Sequence, residues 1–160
     1  KLQLCLNNNK TMQTTIIKTE AKKKKFQATI YTDGATVGHN GKLGTVKEVG
    51  LGCWIVGDEL DIKIAQRKDG ISNNEAEFKA LITAMEVCLN VGVTEALFKL
   101  DSMIVVNRAN GSSRKKEKNA RMGNFQKKVL ELSEKFEKVE FVHIPREYNG
   151  IADDLSKKFC

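Results

Sequence analysis

The chain has 160 residues, 41% of them hydrophobic and 29% charged, and a formal net charge of +7. That length suits one domain with a real core and is too short for two, and the composition is that of an ordinary globular protein. No stretch approaches the roughly 18 consecutive apolar residues of a membrane span, so no membrane partner is expected.

Residues 1–25 are polar and end in Lys22-Lys23-Lys24-Lys25; seven lysines against Glu20 make them +6. They read as a disordered basic arm, and residues 26–160 as the folded domain. Phe26–Thr32 alternates apolar and polar and reads as a strand ending at Asp33-Gly34. A loop with three glycines spans residues 38–44. Val49–Val56 and Leu60–Arg67 read as strands joined at Gly57-Asp58-Glu59, completing an antiparallel meander. Ser72-Asn73-Asn74-Glu75 is a capping box, and Ala76, Ala80, Leu81, Ala84 and Cys88 follow at helical spacing. That helix is expected to stop near Gly92. Leu97–Leu100 reads as a short strand ending in Asp101, and Ser102–Ala109 as a short helix closed by Asn110-Gly111. Residues 114–128 hold seven bases against Glu117, another +6, so the rest of residues 26–160 is net −5. Phe125, Val129, Leu132 and Phe136 mark an amphipathic helix, Val139–Ile144 a strand, and Tyr148–Lys158 a terminal helix. The order βββ-α-β-α-α-β-α defines an α/β fold, a mixed sheet flanked by helices.

The four cysteines (Cys5, Cys53, Cys88, Cys160) have no CxxC spacing, which argues against structural zinc and against a disulfide framework. Cys53 and Cys88 fall in apolar patterns and read as small buried hydrophobes. An intracellular, reducing location, with the cytoplasm as default, and a monomeric chain are the expectations.

Three acids occupy positions where chemistry is usual. Asp33 and Asp101 each follow a strand, and Glu77 lies in the first turn of the intervening helix. In α/β sheets the carboxyl ends of strands are the usual place for an active site. Adjacent parallel strands would set Asp33 beside Asp101, within reach of Glu77. Clustered carboxylates repel unless a cation joins them, and hard oxygen donors favour Mg²⁺ or Mn²⁺. A lone Asp before Gly is as readily a turn former; the convergence of several is what points to a site.

Four motifs in order resemble type 1 ribonucleases H. They are Tyr31-Thr32-Asp33-Gly34-Ala35, Asn73-Asn74-Glu75-Ala76-Glu77, Leu100-Asp101-Ser102 and Asn149-Gly150-Ile151-Ala152-Asp153-Asp154-Leu155. The match runs from about Phe26 to Lys158. The resemblance implies a ribonuclease H-like fold with a five-stranded mixed sheet. It implies hydrolysis of the RNA strand of RNA/DNA hybrids by two metal ions, giving 5′-phosphate and 3′-hydroxyl ends. It assigns metal roles to Asp33, Glu77, Asp101 and Asp153, with Glu77 preferred to Glu75. Asp33 would bridge two Mg²⁺ ions, for which Mn²⁺ could substitute. Glu77 and Asp101 would hold the first ion and Asp153 the second. His143-Ile144-Pro145-Arg146-Glu147-Tyr148-Asn149 resembles the family branch with a Pro-Arg-Glu-x-Asn segment. There Arg146, in the loop, is the better candidate to assist catalysis, and His143, at a strand end, the weaker one. Arg146 could equally be a phosphate clamp or a surface ion pair.

For substrate, the backbone at Gly34 and Ala35, Ser102 beside Asp101, and the side chains of Asn73 and Asn74 are expected near the RNA strand; Asn73 could instead cap the helix. Arg114, Lys115, Lys116, Lys118 and Arg121 are expected along the DNA backbone. That basic loop is shorter than the basic protrusion of some family members, and Met103 stands where many carry Gln. Tyr31 and Trp54 read as sheet residues rather than base-stacking platforms. The arm lacks the aromatic and glycine pattern of the hybrid-binding module that precedes some family members. Two rivals stay open: a related nuclease that also cuts double-stranded RNA, and a nucleic-acid-binding domain that has lost catalysis. Loss usually replaces a metal ligand, and none of the four is replaced.

Overall fold

The computed structural model describes residues 26–37, 48–112 and 120–158. The basic arm, the glycine loop at 38–44, Arg114, Lys115, Lys116, Lys118, Cys5 and Cys160 lie outside the described residues. The elements run β1 (Phe26–Thr36), β2 (Glu48–Gly57), β3 (Leu60–Asp69), α1 (Asn73–Asn90), β4 (Val93–Leu100), α2 (Met103–Ala109), α3 (Ala120–Ser133), β5 (Lys138–His143), a 3₁₀ turn (Arg146–Tyr148) and α4 (Gly150–Lys157). They form a five-stranded mixed sheet ordered β3-β2-β1-β4-β5. The first three strands are the expected antiparallel meander, and β4 and β5 are parallel to β1.

The pleat of β1 sorts its side chains between two layers. Ala28 and Ile30 face α1 in the main core with Leu51, Cys53, Ile55, Phe78, Leu81, Met85 and Phe98. Cys53 donates its thiol to Ala80 O at 3.3 Å. Burial pushes the thiols of Cys53 and Cys88 up to about 12, so both pack as hydrophobes, as their pattern indicated. Tyr31, Asp33, Gly52 and Trp54 face the other side, where α4 packs on β1 and β2. Trp54 and Tyr31 stack at 5.3 Å, with Lys63 over the indole and Lys99 over the phenol ring. Each ring is thus flanked by its partner and a cation, which suits a sheet rung rather than a base platform. No helix among the described residues is long and apolar enough to cross a membrane.

Several boundaries differ from expectation. β1 does not end at Asp33 but runs on to Thr36, because β2 keeps pairing with it through Thr36↔Val49. β4 begins at Val93, where Thr94 and Glu95 interrupt the apolar pattern before the alternation that resumes at Ala96. α3 ends at Ser133, yet Phe136 is still buried, edge-on to Phe98 at 6.1 Å. Tyr148 belongs to the 3₁₀ turn, and α4 starts two residues later.

Candidate active site

The register of two parallel strands creates the site. β1 and β4 pair as far as Thr32↔Leu100. Asp33 and Asp101 are the next residues along each chain, so they emerge side by side where β4 stops. Past that point β1 is held by β2 alone, which leaves an opening beside Asp33 for a side chain from α1. Ser72 starts α1 by accepting from Glu75 N at 3.2 Å. The reciprocal half of the capping box is replaced: the Glu75 carboxylate engages Arg121 at 2.7 Å and Lys79 at 3.1 Å. Gly34 sets the depth of the helix. A Cβ there would stand 2.2 Å from Ala76 C and 2.4 Å from Glu77 N, so only glycine lets the first turn of α1 lie against β1.

Ligand oxygens of Asp33, Glu77 and Asp101 all lie within 4.8 Å of one another. Asp33 and Glu77 are buried and Asp101 is half-buried. Burial, and then the charge of Asp33, pushes the Glu77 carboxyl up to about 10, against a smaller opposing bond from the Gly34 backbone. Burial also raises Asp33, partly offset by the hydroxyl of Ser156. Glu77 Oε2 is buried without a hydrogen-bond partner. Such an oxygen is costly to bury unless a proton or a cation meets it. The trio is therefore an oxygen cage that gains by accepting a hard cation.

Asp153 stands apart from this trio. Its Oδ2 lies 2.6 Å from Lys157 Nζ and its Oδ1 3.2 Å from Arg146 Nη2. Burial alone would raise its carboxyl, but the bonds from Lys157 and Arg146 prevail and hold it below the ordinary range. The expected convergence of four carboxylates is thus divided: three meet, and the fourth, on α4, is engaged by Lys157 of its own helix and Arg146 of the preceding 3₁₀ turn. Ser156 connects the groups, donating to Asp33 Oδ2 at 2.8 Å and lying 2.7 Å from Asp153 O. α4 is seated by two further features. Asn149 Nδ2 donates to Thr32 O at 2.9 Å, and Gly52 leaves the space that its Cβ would otherwise fill 2.0 Å from Ala152 O.

The remaining expected residues are dispersed around this centre. His143 is exposed at the end of β5, opposite Leu100. Arg146 is exposed, and the charges of Asp153, Asp33 and Asp101 all act on its guanidinium. Asn73 is not the cap, which is Ser72; its Oδ1 accepts from Thr36 N at 3.2 Å, tying the end of β1 to the start of α1. Asn74 is exposed on the same turn, and Ala35 is half-buried in β1. Ser102 caps α2 by accepting from Val105 N. Arg121 is not part of a loop: it lies in the first turn of α3 and its guanidinium bonds to buried Glu75. Sequence reasoning passed over Ser156, Lys157 and Gly52. Spacing could have flagged the first two, since they fall three and four residues after Asp153 on one helical face; Gly52 carried no such signal.

A ribonuclease H-type domain is the class that this sheet order and site define. The chain belongs to the reverse transcriptase-like family, whose model matches residues 47–159. Among curated proteins it is 29% identical over 134 residues to the bifunctional protein Rv2228c of Mycobacterium tuberculosis, covering 82% of this chain and 35% of that protein. The chain thus spans about a third of the length of the curated relatives it matches. The solved N-terminal RNase H domain of Rv2228c from M. tuberculosis superposes with a TM-score of 0.71 at 25% identity, covering 84% of this chain and 93% of that one. LC11-RNase H1, solved in complex with an RNA/DNA hybrid, superposes with a TM-score of 0.67 at 28% identity, covering 82% and 94%.

Proposed function

We propose that this chain hydrolyses the RNA strand of RNA/DNA hybrids with two bound divalent cations, Mg²⁺ or Mn²⁺, leaving 5′-phosphate and 3′-hydroxyl ends. The observation that carries the reading is the carboxylate trio Asp33, Glu77 and Asp101, within 4.8 Å at the end of the parallel pair. The donor set fits hard cations: all its ligands are carboxylate oxygens, and Glu77 Oε2 is buried without a partner. Such ions, when bound, supply an activated water and stabilise the leaving oxygen of a phosphodiester. Asp33, between the other acids and α4, would be the shared ligand, with Glu77 and Asp101 on one side. Asp153 would join on the other side after exchanging its contacts with Arg146 and Lys157.

The chain's own groups then bind and orient the hybrid. Arg146 is exposed beside Asp153 and would meet a phosphate or steady the departing oxygen. His143, exposed at the end of β5, is the second candidate for moving a proton. Asn74 presents a donor and an acceptor beside the carboxylates, where a minor groove lined with 2′-hydroxyls would lie. Asn73, Ser102 and the Gly34–Ala35 backbone would frame the same groove. Arg114, Lys115, Lys116 and Lys118 would follow the DNA phosphates.

The test is an end-labelled hybrid incubated with Mg²⁺ beside duplex RNA and duplex DNA. Cut RNA and intact DNA in the hybrid are expected. Equal cutting of duplex RNA would favour the broader nuclease, and binding without cleavage in either metal would favour a silent binding domain. Asp33→Asn should abolish cleavage and keep the fold, since it removes the shared anion without changing shape. Retained turnover in that variant would remove the site assignment.

A further inference from the structure

Asp153 is the expected ligand that stands apart from the trio, and each of its oxygens carries a cation. Its Oδ2 lies 2.6 Å from Lys157 Nζ, and its Oδ1 accepts from Arg146 Nη2 at 3.2 Å. The backbone of α4 is already seated at the site, because Ser156 donates to Asp33 Oδ2 at 2.8 Å and lies 2.7 Å from Asp153 O. For Asp153 to serve beside Asp33, its side chain must therefore change partners, while the helix can stay where it is.

The two cations are not equivalent. Lys157 follows Asp153 by four residues on α4, the ordinary spacing of a helical ion pair. It already gives Asp153 a counter-charge. Arg146 comes from the 3₁₀ turn ahead of α4, so helical spacing does not account for it. Its side chain is 72% exposed, and an ion pair so open to water is weak and readily exchanged. The charges of Asp33 and Asp101 also act on its guanidinium, so it borders the trio as well as Asp153. A guanidinium there can pass from a carboxylate to a phosphate, because its planar fork of donors fits both.

We propose that Arg146 gates the second divalent cation: in the free chain it occupies Asp153 together with Lys157, and a phosphate of the hybrid opens the gate by drawing the guanidinium away. Hybrid and second cation then bind cooperatively, and the site fills completely only with substrate in place. Lys157 weakens the second cation whether or not hybrid is present, whereas Arg146 responds to the hybrid. This gating rests on the ribonuclease H reading and adds to it the order in which the site fills.

The experiment compares the wild type, Arg146→Met and Lys157→Met as full chains. Bound Mn²⁺ is counted from the loss of the free-ion EPR signal. The titration is run with and without a saturating hybrid whose RNA strand is 2′-O-methylated, which keeps the phosphates and resists cleavage. Alone, the wild type should bind one ion well before the second. The hybrid should tighten the second ion about fivefold or more, and that ion must then tighten the hybrid by the same factor, which anisotropy measures. Arg146→Met should tighten the second ion in the absence of hybrid, leave the first nearly unchanged and lose most of the coupling. Lys157→Met should tighten the second ion as well but keep the coupling. The proposal is overturned if Arg146→Met tightens both ions equally, the mark of charge removal alone. It is equally overturned if the coupling survives Arg146→Met, since the hybrid would then act only as an added ligand, or if Lys157→Met abolishes the coupling as fully. Cleavage of unmodified hybrid is scored separately. A wild type that shows the coupling and cuts nothing sinks the ribonuclease reading and keeps the gate. One that cuts hybrid but loads both ions together without it sinks the gate alone. A chain that binds neither Mn²⁺ nor hybrid ends both.

Discussion

At the scale of single residues, burial and charge repulsion act in the same direction on the buried carboxyls of the site. Glu77 holds its proton up to about pH 10 in the metal-free fold, whereas its ordinary value is 4.5. Between those limits the folded chain keeps a proton that the unfolded chain releases. Stability must then fall as pH rises through that window. Urea midpoints in EDTA should decline from pH 5 to pH 9 for the wild type. Glu77→Gln, which carries no ionisable proton, should give a flatter profile and a higher midpoint at pH 9. A divalent cation should restore the wild-type midpoint at high pH and have little effect on the variant. A flat wild-type profile would show that the carboxylates do not share a buried site. Ser156 provides a second test at this scale. Its hydroxyl orients Asp33 Oδ2, and loss of such a supporting bond lowers metal affinity or turnover about tenfold. Ser156→Ala should show that loss as a higher Mg²⁺ requirement for cleavage, with the unfolding midpoint little changed.

At the scale of elements, close approach decides the geometry. α1 can lie on β1 because Gly34 has no side chain, and α4 can lie on β2 because Gly52 has none. Neither glycine needs an unusual backbone conformation; each is required by the atoms opposite. A Cβ at Gly52 would meet the Ala152 carbonyl, which is backbone and yields only by moving α4. Gly52→Ala should destabilise the fold by about 3 kcal/mol and depress cleavage beyond what partial unfolding explains, because Asp153 and Ser156 move with the helix. A denaturation curve and a cleavage rate on one preparation would check this, and a neutral substitution would show that α4 is not seated as described. The element order was legible because period-2 and period-3.6 patterns are local properties of the chain. The start of β4 was less so, since a partly exposed Glu95 inside it breaks the alternation.

At the scale of the whole molecule, charge is segregated. The sequence carries +6 in residues 1–25 and +6 in residues 114–128, against a net −5 in the remainder of residues 26–160. Basic segments of that kind suit a polyanion, and affinity that comes from released counterions falls steeply with salt. Removing residues 1–25 should leave kcat nearly unchanged, since the described sheet and site begin at β1. It should also make the dependence of hybrid binding on salt less steep. Fluorescence anisotropy over a salt series would measure the slope, and an unchanged slope would show that the arm does not touch phosphate.

Periodicity, capping residues and the order of the acidic motifs were enough to establish the fold class and to nominate Asp33, Glu77 and Asp101, because these are written along the chain at short range. The preference for Glu77 over Glu75 followed from a family motif; in the fold Glu75 bonds to Arg121 whereas Glu77 lies against Asp33. Only the tertiary structure decided that β1 continues past Asp33, that Asp153 is engaged by Arg146 and Lys157, and that Ser156 and Gly52 matter. Each of these depends on which backbone lies opposite, and residues as far apart as 33 and 156 meet only once the sheet register and the seat of α4 are set.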